Sequence, residues 1–361
     1  MSDIIISGYY GLGNSGDEAL LESIVSDLRS IDPNLTITAL SGNVALTHKK
    51  YGIKTVNRFN PFSVIREFRS AKLLLSGGGT LIQDATSTKS LLYYLGVIFL
   101  AKKMGLKVML YANGMGPIRD KNVKKVNKIL NTADLITLRE NVSLEEIKRC
   151  NITKPKVMVT ADPAFNLSAS TDDTAERILS EYAINPDDKI VGVSVRSCRN
   201  LPDDFEEKMA SSLDDIAAMG YIPVFIPMQL KADLSLSLAV AGKMKYPSRV
   251  IDCEMPVSDI LALIGRCSIV CGMRLHMLIF ASVMNIPMAG IAYDPKIKGF
   301  MDYMNQKTYI ELENFSSEEF SGIALNCIEN ASLMKAQLEK DSLPLREKAK
   351  KNAYLALELI D

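Results

Sequence analysis

The sequence contains only two histidines and no tryptophan among its 361 residues, and its six cysteines include no Cys-x-x-Cys pair. A chain with so little histidine and no such cysteine spacing lacks the ligand pattern of a zinc site, and reduced thiols are expected. We therefore predict a cytoplasmic protein with no metal centre built from cysteine and histidine.

The sequence also lacks a net charge, a secretion signal and a long hydrophobic run. Basic and acidic residues both total 42, so no overall basic field favours nucleic acid, and no nucleic-acid partner is expected. The first residues enter a strand-like run without the basic and apolar regions of a signal peptide. The most hydrophobic window, residues 91–101, is shorter than the roughly 20 residues that span a bilayer, which predicts a buried helix. At a domain surface the same helix could touch a membrane, so peripheral contact with the inner face is an alternative.

Short β-branched runs alternate with helical patterns, which is typical of mostly parallel sheets. The predicted strands are residues 3–7, 35–40, 72–76, 107–111, 135–138, 189–195, 222–226, 249–251, 268–271 and 288–291. A polar stretch over 168–173 predicts two domains, 1–167 and 175–344, followed by a C-terminal helix over 345–361. We predict an α/β, GT-B-like fold of two facing doubly wound (Rossmann-like) domains, with ligands in a cleft at the carboxyl ends of the strands.

The first glycine-rich loop, residues 11–16, spells Gly-x-Gly-x-x-Gly before a helix predicted to begin near Asp17. Tyr9-Tyr10 are expected to lengthen the turn before it, and no carboxylate follows the second strand where NAD places its ribose, so a dinucleotide site is not favoured. Asp17 and Glu18 occupy the positions where a Walker A loop has its lysine and serine or threonine, so a Walker A phosphate site is not favoured either. Helix capping by Asn14 explains the pattern structurally. The functional interpretation adds ligand contacts from Asn14 and Gly16 and a base at Asp17.

Two further glycine-containing loops follow strands, at residues 76–80 and 113–117. Consecutive glycines expose backbone N–H groups to a ligand at an entropic cost, which favours a binding role for Gly78 and Gly79. Asn113 opens the third loop. Because parallel strands end at the same edge of a sheet, the three loops predict one edge shaped for a ligand.

The stretch 272–277 places Arg274 two residues before His276, after an apolar run. Arginine binds anions through a planar fork, and histidine titrates near neutrality, so the pair suits a phosphorylated or carboxylated substrate. Arg139 and Lys296 follow other predicted strands and add cationic groups. The structural alternatives are an ion pair for Arg274, a satisfied core position for His276, a surface salt bridge for Arg139 and a solvated loop for Lys296.

The ordered set of motifs resembles the polysaccharide pyruvyl transferase family, most of all its CsaB-type cell-wall polymer members. The motifs that carry the resemblance are residues 8–11, 14–19, 76–79, 113–117, 137–140, 162–165, 274–276 and 293–296. The resemblance extends from the first strand to about residue 300, and its specificity lies in the combined set.

The resemblance implies transfer of the enolpyruvyl group of phosphoenolpyruvate onto two hydroxyls of one sugar, which forms a cyclic pyruvate ketal, on a GT-B-like fold without a metal or other cofactor. For CsaB-type members the implied acceptor is N-acetylmannosamine in a lipid-linked precursor of cell-wall polysaccharide, and the ketal then anchors S-layer proteins. The implied partners are phosphoenolpyruvate and a sugar or lipid-linked saccharide.

In this chemistry His276 is the expected general acid and Asp17 the candidate base. The expected substrate-binding residues are Arg139, Arg274, Leu275, Lys296, Gly78, Gly79, Asn14, Gly16 and Asn113. Two alternatives come from other functional classes: a GT-B nucleotide-sugar glycosyltransferase, and a non-catalytic module that binds phosphoenolpyruvate or a sugar.

Overall fold

The computed structural model describes residues 2–85 and 87–360, and the chain divides into two compact α/β units. Unit 1 comprises Met1–Asn166 and Leu345–Asp361, and unit 2 comprises Leu167–Pro344. Each unit is built around its own parallel sheet. The prediction of two parallel-sheet α/β domains is therefore confirmed.

Unit 1 alternates strands and helices along the chain. Its strands are β1 (Ile4–Tyr10), β2 (Ile37–Ser41), β3 (Lys54–Asn57), β4 (Leu73–Gly77), β5 (Lys107–Asn113), β6 (Leu135–Leu138) and β7 (Lys156–Val159). The helices between them are α1 (Ser15–Ile31), α2 (Val44–Tyr51), α3 (Pro61–Phe68), α4 (Thr88–Lys103), α5 (Asp120–Leu130) and α6 (Ser143–Arg149). The seven strands pair in the order β3-β2-β1-β4-β5-β6-β7.

The central strands of unit 1 are apolar on both faces because helices cover both. Ile5 of β1 belongs to the core that α3, α4, α5 and α6 form with one face of the sheet. Ile4 and Ile6, which point the other way along the same strand, pack with α1 on the opposite face. The carboxyl ends of β1, β4, β5 and β6 thus emerge between two helical layers at one edge.

Unit 2 repeats this architecture. Its strands are β8 (Lys189–Ser194), β9 (Tyr221–Phe225), β10 (Arg249–Val250), β11 (Cys267–Gly272), β12 (Met288–Ala292) and β13 (Tyr309–Glu311). Its helices are α7 (Asp172–Glu181), α8 (Phe205–Ala217), α9 (Leu230–Lys243), α10 (Val257–Gly265), α11 (Leu275–Val283), α12 (Pro295–Tyr303) and α13 (Ser317–Glu329). The strands pair in the order β10-β9-β8-β11-β12-β13, so β8, β11 and β12 are neighbours at its centre.

The last helix, α14 (Ala331–Leu357), begins in unit 2 and ends in unit 1, with Pro344 inside it. The helix predicted over residues 345–361 is therefore the second half of a longer one. Ala353 and Ala356 of this half are fully buried in the core of unit 1. Asn352 beside them accepts a hydrogen bond from the Thr160 hydroxyl (2.8 Å) and donates one to the Ala161 carbonyl oxygen (3.3 Å).

Several sequence-based boundaries differ from the structure. Tyr9 and Tyr10 lie within β1 and do not lengthen the turn, since Tyr10 pairs with Ser41 of β2 and its hydroxyl donates to the Gly77 carbonyl oxygen (2.7 Å). Helix α1 begins at Ser15, ahead of Asp17. The strands β3, β7 and β13 were not predicted. Across residues 2–85 and 87–360, no helix combines the length and the apolar composition needed to cross a membrane.

Candidate active site

The first glycine-rich loop of unit 1 is held by protein side chains. Asn14 is the N-cap of α1, and its Oδ1 accepts from the backbone N–H groups of Gly16 (3.0 Å) and Asp17 (3.4 Å). Glu18 reaches back from the first turn and accepts from the Gly11 N–H (2.8 Å), while its other oxygen accepts from the Tyr51 hydroxyl (2.6 Å). The amides of Gly11, Gly16 and Asp17 are thus already bonded, and the capping role weighed for Asn14 is present in the structure.

Asp17 lies against the second glycine loop. It is half-buried in the first turn of α1, and a Cβ placed on Gly79 would stand 3.1 Å from its Oδ1. Gly78 and Gly79 have φ values of +64° and +69°, which favour glycine, and a Cβ on Gly78 would stand 2.8 Å from the Leu20 side chain. Packing therefore explains why both positions are glycine, in addition to the proposed binding role, since only glycine lets α1 approach this loop so closely.

The third loop joins the second. Asn113 Nδ2 donates to the carbonyl oxygens of Ser76 (2.8 Å) and Tyr111 (3.1 Å), and the Gly114 N–H donates to the Gly79 carbonyl oxygen (2.9 Å). Asn113 Oδ1 and Ser76 Oγ are buried without a hydrogen-bond partner in the described parts of the chain. Buried polar atoms are normally satisfied, so this strand edge is a place where a ligand or water is expected.

Arg139 completes the cluster in unit 1, but it is buried and paired. Its Nη1 donates to Asp162 (2.8 Å), its Nε to Glu140 (2.9 Å) and its Nη2 to the Thr80 hydroxyl (3.2 Å). Burial acts to lower the pKa of this guanidinium, while Glu140 and Asp162 raise it above its usual value. The expected alternative was a surface salt bridge. The observed pair is internal, and its two carboxylates balance the arginine's charge.

Arg274 in unit 2 follows β11 and is the N-cap residue of α11. Its Nε and Nη2 donate to the two carboxylate oxygens of Asp233, the first at 2.9 Å. Asp233 is fully buried in the first turn of α9 and also accepts from the backbone N–H of Gln229 (2.9 Å). Arg274 Nη1 makes no hydrogen bond to any described residue, so this end of the fork is available to an anion.

His276 lies in the first turn of α11, two residues after Arg274, and is half-buried, as is Leu275. Its ring packs one turn ahead of Phe280, with 6.1 Å between the ring centroids. The other histidine, His48, is exposed in α2, and its Nδ1 bonds the Ile53 carbonyl oxygen at 2.8 Å. The two histidines of the chain thus occupy different environments, and only His276 lies beside an arginine fork at a helix N-terminus.

Two further cationic residues follow the strands on either side of β11. Lys296 lies in the first turn of α12, where its backbone N–H donates to Asp294 (3.0 Å) and its Nζ is 3.4 Å from the same carboxylate. Arg196 follows β8 and donates from Nη1 to the Tyr293 hydroxyl (2.7 Å), with its guanidinium 5.2 Å from the ring centre. Burial raises the pKa of Tyr293, while the charges of Arg196 and Arg274 act to lower it, so both guanidinium groups lie near this phenol.

Arg196 was not predicted from the sequence, although a signal was present. It comes directly after the predicted strand 189–195, as Arg139 comes directly after 135–138, while Arg274 follows 268–271 after two intervening residues. Its Nε is buried without a hydrogen-bond partner among the described residues. Three cationic residues, Arg196, Arg274 and Lys296, therefore follow three adjacent strands of one sheet.

A cavity of about 310 Å³ lies at the carboxyl ends of β12 and β13. Tyr293 and Asp294 line it together with Asn200, Lys298, Glu311 and Glu313. The carboxylates outnumber the single lysine in this lining, so the cavity suits hydroxyl groups better than phosphate.

Comparison with known proteins identifies the family and the fold. The family model described as polysaccharide pyruvyl transferase matches residues 14–295. The amylovoran biosynthesis protein AmsJ of Erwinia amylovora is 25% identical over 228 residues, which cover 56% of this chain and 52% of that protein. The chain thus spans about half the length of this curated relative.

Solved structures resemble the whole chain at low identity. A glycosyltransferase from Rickettsia africae has a TM-score of 0.67 at 14% identity, with 100% of this chain and 99% of that chain covered. Anabaena HepE in complex with UDP-glucose has a TM-score of 0.66 at 11% identity, with 99% of both chains covered. The UDP-GlcNAc 2-epimerase of Neisseria meningitidis bound to UDP-GlcNAc has a TM-score of 0.68 at 9% identity, with coverage of 99% and 100%.

These likenesses confirm the GT-B-like fold. The family match extends over most of the chain and includes Asn14, the second and third glycine loops, Arg139 and the Arg274–His276 motif. This chain belongs to the polysaccharide pyruvyl transferase family.

Proposed function

We propose that this protein transfers the enolpyruvyl group of phosphoenolpyruvate onto two hydroxyls of a sugar and closes a pyruvate ketal. The observation that carries the proposal is the Arg274 fork, which Asp233 fixes at the N-terminus of α11 two residues before His276. An oriented guanidinium beside a proton-transfer group is what a phosphorylated carboxylic acid requires at its reacting end.

Donor binding is assigned to the cations of unit 2. Phosphoenolpyruvate carries a phosphate and a carboxylate, and Arg274 and Arg196 offer planar donors while Lys296 offers a point charge. The N-termini of α11 and α12 add partial positive charge at the same strand edge. Leu275, which is half-buried and lies between Arg274 and His276 in the sequence, is assigned a substrate contact.

The reaction then proceeds in two additions. His276 protonates the methylene carbon, and the oxocarbenium-like centre at C2 accepts the first sugar hydroxyl, whose proton passes to Asp17. Loss of inorganic phosphate regenerates a cationic C2, which the second hydroxyl attacks. One hydroxyl proton ends on the new methyl group and the other on phosphate, so the products are the ketal and inorganic phosphate. A positioned proton donor of this kind contributes roughly 10²–10⁴-fold in rate.

The acceptor is proposed to be N-acetylmannosamine in a lipid-linked precursor of cell-wall polysaccharide, with attachment of S-layer proteins as the role of the ketal. The CsaB-like set of motifs supports this choice. The relative AmsJ takes part in amylovoran biosynthesis, which is also polysaccharide chemistry. In unit 1, Asp17 is the proposed base, and the proposed substrate-binding residues are Asn14, Gly16, Gly78, Gly79, Asn113 and Arg139.

The test is incubation with phosphoenolpyruvate and a panel of lipid-diphosphate and aryl sugars, followed by a phosphate assay and mass spectrometry of the sugar. We expect phosphate release that depends on the acceptor, together with a product whose mass fits the ketal. Phosphate release without a ketal, or turnover of a UDP-sugar in place of phosphoenolpyruvate, would contradict the proposal, the second result in favour of a glycosyltransferase. Saturable donor binding with no turnover of any acceptor would favour a binding module.

A further inference from the structure

Helices α3, α4 and α5, which with α6 cover one face of the unit 1 sheet, carry an unbalanced charge. Their sequences contain eight basic and two acidic residues, in a chain whose basic and acidic totals are equal. One of the two acidic residues, Glu67, is buried and accepts from Lys54 (2.7 Å). The exposed charge of this helical layer is therefore strongly positive.

The same layer exposes large apolar side chains. Phe59 and Phe62, at the start of α3, are 67% and 83% exposed, and Leu92 and Phe99 of α4 are 42% and 47% exposed. On α4 the exposed positions 89, 92, 96, 99 and 103 recur at helical spacing and read Lys-Leu-Gly-Phe-Lys. An apolar stripe with a lysine at each end therefore runs along the outer side of this helix. The apolar window predicted to be a buried helix is buried on one side only.

A groove of about 410 Å³ joins α3 to α4. Its apolar lining includes Phe59, Pro61, Leu92 and Val97, and its charged member is Arg58. The Arg58 guanidinium donates to the Gly8 carbonyl oxygen (2.7 Å) and the Tyr94 hydroxyl (3.2 Å), and lies 4.5 Å from the ring centre of Tyr93. The exposed Phe59 and Phe62 and the apolar stripe of α4 are thus parts of one surface, and the Arg58 guanidinium lies in the groove between them.

Helix α5 extends this surface with lysines. It packs beside α4, and its exposed positions include Lys121, Lys124, Lys125 and Lys128. Its acidic residue, Asp120, pairs with Arg149 at 3.0 Å. We refer to the exposed residues of the 59–66 segment, α4 and α5 together as the α3–α5 face.

We propose that the α3–α5 face docks onto an anionic membrane surface, with Phe59, Phe62, Leu92 and Phe99 entering the headgroup layer and the surrounding lysines contacting lipid phosphates. Apolar insertion and electrostatic attraction to acidic lipids act together in such interfacial binding, and each is weak alone. The partner is identified by charge complementarity, because a zwitterionic or basic partner would leave the lysines without compensation.

The experiment is co-sedimentation of the whole protein with vesicles of phosphatidylcholine alone or mixed with phosphatidylglycerol, over a range of salt concentrations. We expect binding to the acidic vesicles that weakens with salt, and little binding to phosphatidylcholine alone. Combining Phe59→Ser with Phe62→Ser should weaken the partitioning about 10-fold. Combining Lys124→Ala with Lys128→Ala should weaken it about 30-fold.

Matched controls lie on α14. Leu333 and Leu343 are 72% and 66% exposed, so Leu333→Ser with Leu343→Ser removes similar exposed apolar area at another surface. Lys335→Ala with Lys340→Ala removes the same charge there. Both control pairs should bind the vesicles as the unchanged protein does. The Phe62→Ser single variant keeps the Phe59–Arg58 contact. Weaker vesicle binding by this variant would show that the loss in the double variant is not caused by a folding defect.

Equal vesicle binding by the α3–α5 variants and the α14 variants would overturn the proposal, as would equal binding to both lipid compositions. If no vesicle binding is found but the α3–α5 variants alter sedimentation of the protein itself, the face is a contact between copies and the membrane assignment is wrong. Sedimentation requires no turnover, so this result is independent of the donor and acceptor chemistry.

Discussion

The Arg274–Asp233 pair shows how a single side chain is prepared for a ligand. Two of the three guanidinium nitrogens are bonded to a fully buried carboxylate, and that carboxylate is fixed in turn by the Gln229 amide. Removing one partner of such a buried pair leaves an uncompensated charge, which costs about 3–5 kcal/mol. Asp233 is therefore a positioning residue for the proposed donor site.

His276 and Arg274 are predicted to separate in kinetics. His276→Gln should lower kcat about 100-fold or more with little change in donor affinity, because it removes the proton donor and leaves the anion contacts. Arg274→Lys keeps the charge but loses the fork, so it should mainly weaken donor binding. When the unchanged enzyme turns over in D₂O, the methyl group of the ketal product should contain one deuterium.

His48→Gln is the matched control for that measurement. His48 is the other histidine, and its Nδ1 bonds the backbone carbonyl oxygen of Ile53, which lies between α2 and β3. It should leave kcat unchanged. Near-normal turnover by His276→Gln, or a methyl group without deuterium, would remove His276 from the chemistry.

Asp27 is predicted to make stability depend on pH. Burial in α1 raises the pKa of this carboxyl from 3.8 to about 6, against the lowering effects of Asn166 and Lys350. Because the folded state then binds the proton more tightly than the unfolded chain, the free energy of unfolding falls as pH rises between these values and stays reduced above pH 6. Asp27→Asn should remove this penalty and raise stability at pH 8 by roughly 1–3 kcal/mol.

Thermal unfolding of both proteins at several pH values measures the effect. The difference between Asp27→Asn and the unchanged protein should shrink as the pH falls towards 4. A difference that is constant over this range would show that the carboxyl does not titrate as its burial requires.

At the scale of the element, the backbone of the second glycine loop limits where the Asp17 carboxylate can lie. Gly79→Ala places a Cβ 3.1 Å from the Asp17 carboxylate at a φ of +69°. Gly52→Ala offers a control at a φ of +59°, where nothing lies within 4 Å of the added atom. Each substitution should cost about 1 kcal/mol of stability through the left-handed backbone.

Only Gly79→Ala should also lower kcat, by about 10-fold or more, because a small displacement of a reacting group has a large effect on rate. Steady-state kinetics and urea unfolding of the two variants separate these contributions. Equal kcat values would show that Asp17 tolerates displacement, and the proposed base would then be another group.

The elements that the sequence predicted, and those it did not, differ in burial. The strands β1, β4, β5, β8 and β11 are mostly apolar and buried, and such runs are visible in the sequence. The strands β3, β7 and β13 lie at sheet edges, are three or four residues long and contain exposed or half-exposed residues. A short edge strand needs no apolar run, because only one side pairs and part of it faces water.

The candidate site could be predicted only in part for a related reason. A cationic residue one to four positions after a strand is visible in the sequence, and this pattern singled out Arg139, Arg274 and Lys296, which follow β6, β11 and β12. Their partners are not visible, because Asp162 and Asp233 come from distant segments that only the fold brings near. The sequence therefore could not distinguish a guanidinium balanced by two carboxylates from one with a nitrogen left for a ligand.

At the scale of the whole molecule, donor binding should appear as thermal stabilisation. A ligand that binds only the folded state raises the free energy of unfolding, by about 2.7 kcal/mol at a hundred times its Kd. We expect phosphoenolpyruvate to raise Tm and pyruvate to do far less, because pyruvate lacks the phosphate that the cations of unit 2 are proposed to hold.

The same shift and the turnover should persist in EDTA, since Arg196, Arg274 and Lys296 are proposed to neutralise the donor. Loss of activity on dialysis against chelator, with recovery on adding magnesium or manganese, would show that side chains alone do not suffice. A shift with UDP-glucose and none with phosphoenolpyruvate would favour the glycosyltransferase alternative.

The path of α14 has a consequence for how the protein is made. Asn352, Ala353 and Ala356 belong to the interior of unit 1, yet all of unit 2 stands between them and the rest of that unit in the chain. During synthesis, the whole of unit 2 is added to the chain before these residues. Until they are added, Thr160 lacks its partner Asn352, and the part of the sheet face that Ala353 and Ala356 cover stays exposed. The core of unit 1 can therefore be completed only after all of unit 2 has been synthesised.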